Sequence, residues 1–102
     1  MRRRRVHFNF GVVYRTPTKK LKKILKIIKN IFHKIELADL ERVHFKEIGD
    51  FSLNFEVAYY VNTGDYNKYM DIRQEINLAI KEQFEKEGIE FAYPTQTVFV
   101  NK

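Results

Sequence analysis

Three histidines, thirteen carboxylates and nineteen lysines and arginines are the groups in this 102-residue chain able to move protons, hold metals or bind anions. A metal site needs ligands at matched spacing. His7, His33 and His44 stand far apart in sequence, with no HExxH run and no Gly-rich phosphate loop beside them. His7 and His44 occupy strand positions opposite the apolar ones, where a solvent-facing histidine is the ordinary outcome. Asp50, Asp65 and Asp71 fall at turn or helix-start positions, which accounts for them without chemistry. The chain has no cysteine, so disulfides, thiolate metal sites and thiol nucleophiles are excluded, and an intracellular setting is the default. No catalytic residue, metal or cofactor is expected, and the chain is read as no enzyme.

The remaining chemistry is positive charge. Residues 1–35 hold twelve of the nineteen basic residues and no acid, so the formal net charge of +6 conceals a basic first third and an acidic remainder. Arg2, Arg3, Arg4 and Arg5 form one run, and Lys19, Lys20, Lys22, Lys23, Lys26 and Lys29 another. Such a surface attracts small anions, nucleic acid or acidic headgroups, or is simply a solvated face.

The elements that carry these groups follow from hydrophobic period. Val6, Phe8, Phe10, Val12 and Tyr14 alternate, giving a first strand over about residues 4–14. Thr16 and Pro17 suggest an N-cap followed by proline at the first helical position. Leu21, Ile24, Leu25, Ile28, Phe32 and Ile35 then form the apolar stripe of a helix with the lysines outside. A polar connection over residues 36–42 leads to a short strand, Val43 to Ile48, which ends at Gly49-Asp50, a pair suited to a tight hairpin. Leu53, Phe55, Val57, Tyr59 and Val61 alternate without a break as the third strand. Asp65 caps a second helix with Tyr69, Ile72, Ile76, Ala79, Ile80 and Phe84 inside, and Gly88 closes it. After Pro94, the residues Thr95, Gln96, Thr97, Val98, Phe99 and Val100 read as a final strand. The order βαββαβ predicts an α+β, ferredoxin-like sandwich, a mainly antiparallel sheet with two helices on one face. At this size one domain is expected, and no apolar run approaches the roughly 20 residues of a membrane span.

Some βαββαβ domains bind RNA by stacking bases on sheet aromatics, which makes a basic RNA-binding domain the alternative reading. The third strand here, Ser52-Leu53-Asn54-Phe55-Glu56-Val57-Ala58-Tyr59-Tyr60, carries an acid and no glycine, against the pattern such domains use. A small-ligand regulatory domain is a third reading. The final strand poses its own question, since an apolar strand must pair somewhere. Either it closes the domain's own sheet or it pairs with equivalent strands of other copies, where a closed ring leaves no edge.

Three stretches in order, Phe45-Lys46-Glu47-Ile48-Gly49-Asp50-Phe51-Ser52-Leu53-Asn54-Phe55-Glu56-Val57, Tyr69-Met70-Asp71-Ile72-Arg73-Gln74-Glu75-Ile76-Asn77 and Gly88-Ile89-Glu90-Phe91-Ala92-Tyr93-Pro94-Thr95-Gln96-Thr97-Val98, closely resemble the C-terminal domain of MscS-type mechanosensitive channels. The resemblance runs from about Val6 to Val100, and its most specific piece is the ending Gly88 to Val98. It implies a homoheptamer whose seven copies of this domain form the lower part of a cytoplasmic vestibule, crossed by ions and small solutes on their way to a pore that opens under membrane tension. It also implies that the segment 95–100 supplies one strand to a parallel intersubunit barrel, and that residues 1–5 connect from a preceding β domain to the vestibule domain, residues 6–94. On that reading Met1 is a start added to a fragment, the native tail can extend past Lys102, and the transmembrane part of the same chain is the partner. The fragment itself neither conducts nor senses tension, and no nucleic acid is expected. The arginine run and the six lysines would make part of the vestibule wall positive.

Overall fold

In a computed structural model the chain is described over residues 3–92. The elements run β1 (Arg4–Val12), α1 (Thr18–His33), β2 (Ala38–Ile48), β3 (Leu53–Val61) and α2 (Tyr66–Lys86). Both outer strands pair antiparallel with β3, in the order β1-β3-β2, so the connection through α1 steps over the central strand. This is an α+β fold. The expected last strand, residues 95–100, lies outside the described residues, as do Arg2, Tyr93 and Pro94. The chain returns to the sheet before that point. Phe91 bridges antiparallel to Val12 on the outer side of β1.

The alternation of β1 and β3 sorts their side chains by face. Val6, Val12, Leu53, Phe55, Val57, Tyr59 and Val61 are buried on the helix side. Phe32 of α1 lies 4.9 Å from Tyr59 and Phe84 of α2 lies 5.5 Å from Phe10, ring centre to ring centre, which places both helices on that one face. Ile24, Ile27, Ile28 and Ile31 complete the α1 side of the core, and Ile72, Ile76 and Ile80 the α2 side. Each such side chain contributes roughly 1.5–3 kcal/mol by leaving water. Among the described residues no polar or charged residue is buried.

The helix ends differ from expectation at one place. Pro17 is the N-cap of α1, one position after the expected cap at Thr16, and its carbonyl accepts from the amides of Lys20 and Leu21. The Thr16 hydroxyl, expected to cap the helix, instead donates to the Val13 carbonyl at 2.7 Å and closes the preceding turn. Asp65 does cap α2, accepting from the Asn67 amide at 3.1 Å. Gly88, with φ of 70°, ends α2, while the amides of Gly88 and Ile89 reach the carbonyls of Glu85 and Phe84.

The polar connection expected over residues 36–42 is in fact mostly strand, since β2 begins at Ala38. Ala38, Leu40, Val43, Phe45 and Ile48 all stand opposite helix-side residues of β3, but the register slips between Leu40 and Arg42 and again between Phe45 and Glu47. Each slip inserts an extra residue and breaks the alternation, and the one at Glu41 hid the first part of the strand, before the expected Val43 to Ile48, from its sequence pattern. The hairpin after β2 also departs from the tight turn suggested by Gly49-Asp50. Residues 49–52 form the loop, closed by the Gly49 amide to the Ser52 carbonyl at 2.8 Å, and Gly49 has no positive φ. A Cβ at Gly49 would meet the side-chain nitrogen of Asn54 at 2.6 Å, so that side chain would have to move aside.

Candidate charged and assembly surfaces

The lysines of α1 face outward because its isoleucines take the other side of the turn. Lys19, Lys22, Lys23, Lys26 and Lys29 are exposed, and the first four line a shallow depression on the helix surface. Lys20 is half-buried and is tied down. Its ammonium donates to the Glu87 carbonyl oxygen at 2.6 Å and sits 3.4 Å from the Glu87 carboxylate, which Lys23 approaches to 3.0 Å. Lys23 and then Lys20 hold that carboxyl below the usual carboxylate range, against its partial desolvation. This carboxylate at the C-cap of α2 thus locks the start of α1. Among the described residues Lys19, Lys22, Lys26 and Lys29 make no ion pair.

The arginine run is divided between layers by the alternation of β1. Arg3 and Arg5 lie on the open face of the sheet. Arg3 donates to Asn62 at 2.8 Å and to Asp39 at 3.1 Å, and its guanidinium lies 4.2 Å from the centre of the Tyr60 ring. Arg5 donates to Glu41 at 2.9 Å, which raises its own pKa and lowers that of Glu41. Arg4 points to the helix side, 5.1 Å from the Tyr69 ring centre. Arg3 and Arg5 therefore lie on the sheet face away from the lysines of α1, and their charge is largely matched by acids.

Glu56 joins the strands on that face. Its carboxylate lies 2.6 Å from His7 Nε2 on β1 and 3.3 Å from Arg42 on β2, and Arg42 also reaches Glu41 at 3.0 Å. The hydrogen bond to His7, then that to Arg42, holds the Glu56 carboxyl low. Sequence reading noted Glu56 only as an acid out of place for RNA binding; its partners depend on strand order. On this face the described residues offer Tyr60 as the one Phe or Tyr ring, and Arg3 covers it; the imidazoles of His7, which is paired with Glu56, and of His44 lie there too. Phe8, Phe10, Phe45, Phe55 and Tyr59 lie on the helix side, so the base-stacking platform of the alternative reading is not formed.

The three histidines are not brought together: all are exposed, and among the described residues no group of three or more His, Cys, Asp or Glu could hold a metal. No described helix is long and apolar enough to cross a membrane. A nearly apolar groove, missed by sequence reading, runs beside β1 between Phe8, Phe10, Ile80 and Phe91. Its signal was the alternation of Phe8 and Phe10, which marks the inward face but not which strand lies at the edge. The candidate oligomer strand, residues 95–100, lies outside the described residues.

Residues 6–91 match the family described as mechanosensitive ion channel MscS, C-terminal. Over 102 residues the chain is 49% identical to the small-conductance mechanosensitive channel MscMJ of Methanocaldococcus jannaschii, covering 98% of this chain and 29% of that protein. It is 44% identical to the large-conductance mechanosensitive channel MscMJLR of the same organism, covering 96% of this chain and 28% of that one. The crystal structure of Helicobacter pylori MscS in its closed state shares the fold, with a TM-score of 0.69 and 24% identity over 89% of this chain and 35% of that one. The chain thus spans less than a third of the length of these two channel relatives.

Proposed function

The chain belongs to the MscS family of mechanosensitive channels, a family of channels rather than enzymes, and from that premise we propose that it is the vestibule and assembly domain of such a channel. In this reading seven copies surround a cytoplasmic chamber, ions and small solutes cross it when membrane tension opens the pore, and tension sensing and conduction belong to transmembrane segments of the same protein. Residues 6–94 form the chamber wall, residues 1–5 connect it to a preceding domain, and residues 95–100 pair with their equivalents to close the base. The chain alone does not conduct.

The observation that carries this reading is the unbroken match of residues 6–91 to the C-terminal part of the family, folded here around one apolar core. The charged surface adds a role in selectivity. Lys19, Lys22, Lys26 and Lys29 keep their charge free of ion pairs among the described residues, so they raise the local concentration of anions. Arg3 and Arg5 contribute less, because Asp39 and Glu41 neutralise them. The test is the anion-to-cation permeability ratio of the full-length channel, taken from reversal potentials. Changing the four lysines together to glutamine lowers the ratio if they face the permeating ions; an unchanged ratio removes them from the vestibule wall.

A further inference from the structure

Charge matching divides the arginines of this chain into two groups. Arg3, Arg5, Arg15 and Arg42 each pair with a carboxylate, those of Asp39, Glu41, Glu90 and Glu56 in turn. Among the described residues Arg4 and Arg73 pair with none, and these two converge on one place. The Arg4 guanidinium, on the helix side at the start of β1, lies 5.9 Å from the Tyr66 ring centre and 5.1 Å from that of Tyr69, and Arg73 lies 5.6 Å from the same Tyr69 ring. Tyr66, Tyr69 and Arg73 stand three and four positions apart in α2, so they share one side of the helix. The first turn of α2 holds no acid, Asp65 is engaged as its cap, and Asp71, two positions before Arg73, is turned away by the helical period. The other neighbours of Arg73 are uncharged, the Met70 sulfur at 4.0 Å and the Tyr59 hydroxyl. Arg4 Nε is buried and has no hydrogen-bond partner.

A cation set against aromatic rings gives up part of its hydration, and a buried donor without an acceptor destabilises the fold. Both deficits call for an acceptor. We propose that Arg4 and Arg73, held over Tyr66 and Tyr69 where β1 and α2 begin, form a binding site for a carboxylate group, supplied by a small organic acid or by an acidic side chain of the channel's remaining segments. The rings orient the guanidiniums, and a planar guanidinium receives a carboxylate through two parallel hydrogen bonds. A turn of the Arg4 fork toward that carboxylate satisfies the orphan Nε. Tyr66 is 59% exposed and Met70 38%, so the corner is open and offers apolar surface to the stem of an arriving group. The lysines of α1 differ, since exposed ammoniums spread along a helix concentrate anions without fixing the orientation of any one. The second source of the carboxylate rests on the assembly reading above; the site itself does not.

The probe is carbon-13-labelled acetate, exchanged for chloride at constant ionic strength and followed by its line broadening on the 102-residue chain. Saturable binding is expected, with a dissociation constant on the order of 10 mM. Arg4→Gln and Arg73→Gln are each expected to weaken it about tenfold, the worth of one charge-assisted hydrogen bond. Changing Lys19, Lys22, Lys26 and Lys29 together to glutamine leaves it as it was, which separates this site from the anion role of α1. A second measurement needs no variant: in nitrogen-15 spectra of the native chain the Nε–H signals of Arg4 and Arg73 move with acetate, while those of Arg3, Arg5 and Arg42 stay. Broadening that does not saturate, that persists in both arginine variants or that vanishes with the four lysines overturns the site, as does a shift at the paired arginines in place of Arg4 and Arg73. The full-length channel in detergent then identifies the source. Acetate binding retained there assigns the site to a small organic acid, and binding lost there assigns it to an acidic side chain of the channel already seated on the two arginines.

Discussion

Along β2 the ladder slips at Glu41 and again at Lys46, whereas β1 pairs with β3 over nine consecutive positions without a slip. Bulges twist an edge away from incoming strands, so β2 is shielded by its own backbone and by the charges of Asp39, Glu41 and Lys46. β1 has no such bulges and, among the described residues, is covered only at one end, where residues 90–92 pair with Gly11 and Val13 over a cluster of rings. One edge is closed by irregular backbone and the other is left regular but filled for a short length. The contrast teaches that the two outer strands of one described sheet are protected differently, one by bulges and charge and the other by a short returning segment.

The largest expected effect comes from the rings that hold the covered end of β1. Phe84 is fully buried, packed edge-on against Phe10 and stacked on Phe91 with ring centres 5.1 Å apart. Phe84→Ala is expected to cost about 3–5 kcal/mol in urea unfolding, and a loss below about 1 kcal/mol would show that this end of the core does not hold the edge. Next is the turn that aims the chain at β1. Gly88→Ala meets no steric contact but forces alanine to the left-handed φ of 70°, so a loss of about 1–2 kcal/mol is expected from backbone strain alone. If stability is unchanged, the return path is not set by this glycine.

The smallest effect concerns Glu56, which ties both outer strands to β3 through His7 and Arg42. Its carboxyl is held below the reference value of 4.5, so its contribution is present above that pH and is lost as pH falls through the lower folded value. Glu56→Gln is therefore expected to lower Tm slightly at neutral pH, with the gap to the native chain closing on acidification. A gap of equal size at about pH 3 and about pH 7 would show that the charge on Glu56 stabilises neither edge.

Much of this architecture was legible residue by residue. The alternation of Leu53 to Val61 is unbroken because β3 is central and regular, and the ends of α2 are marked by Asp65 and Gly88, whose roles are local. The first half of β2 was not legible, since the bulge at Glu41 puts Leu40 and Val43 an odd number of positions apart. The cap of α1 was misplaced by one residue because the Thr16 hydroxyl had a competing acceptor, the Val13 carbonyl, that only the folded turn brings near. The basic face of α1 was plain from its period, but the capture of Lys20 and Lys23 by Glu87 was not, because that carboxylate arrives from more than sixty residues away.

By itself the sequence determined the order of the elements, the inward face of each helix and of the regular strands, and the excess of positive charge on α1, all of which depend on short-range period and chain geometry. Only the tertiary structure decided which of the described strands is central, which charges on the open face are neutralised, and that Phe91 returns to pair beside Val12. Those facts depend on which distant segments become neighbours, and a backbone hydrogen bond has no address until its partner strand is in place.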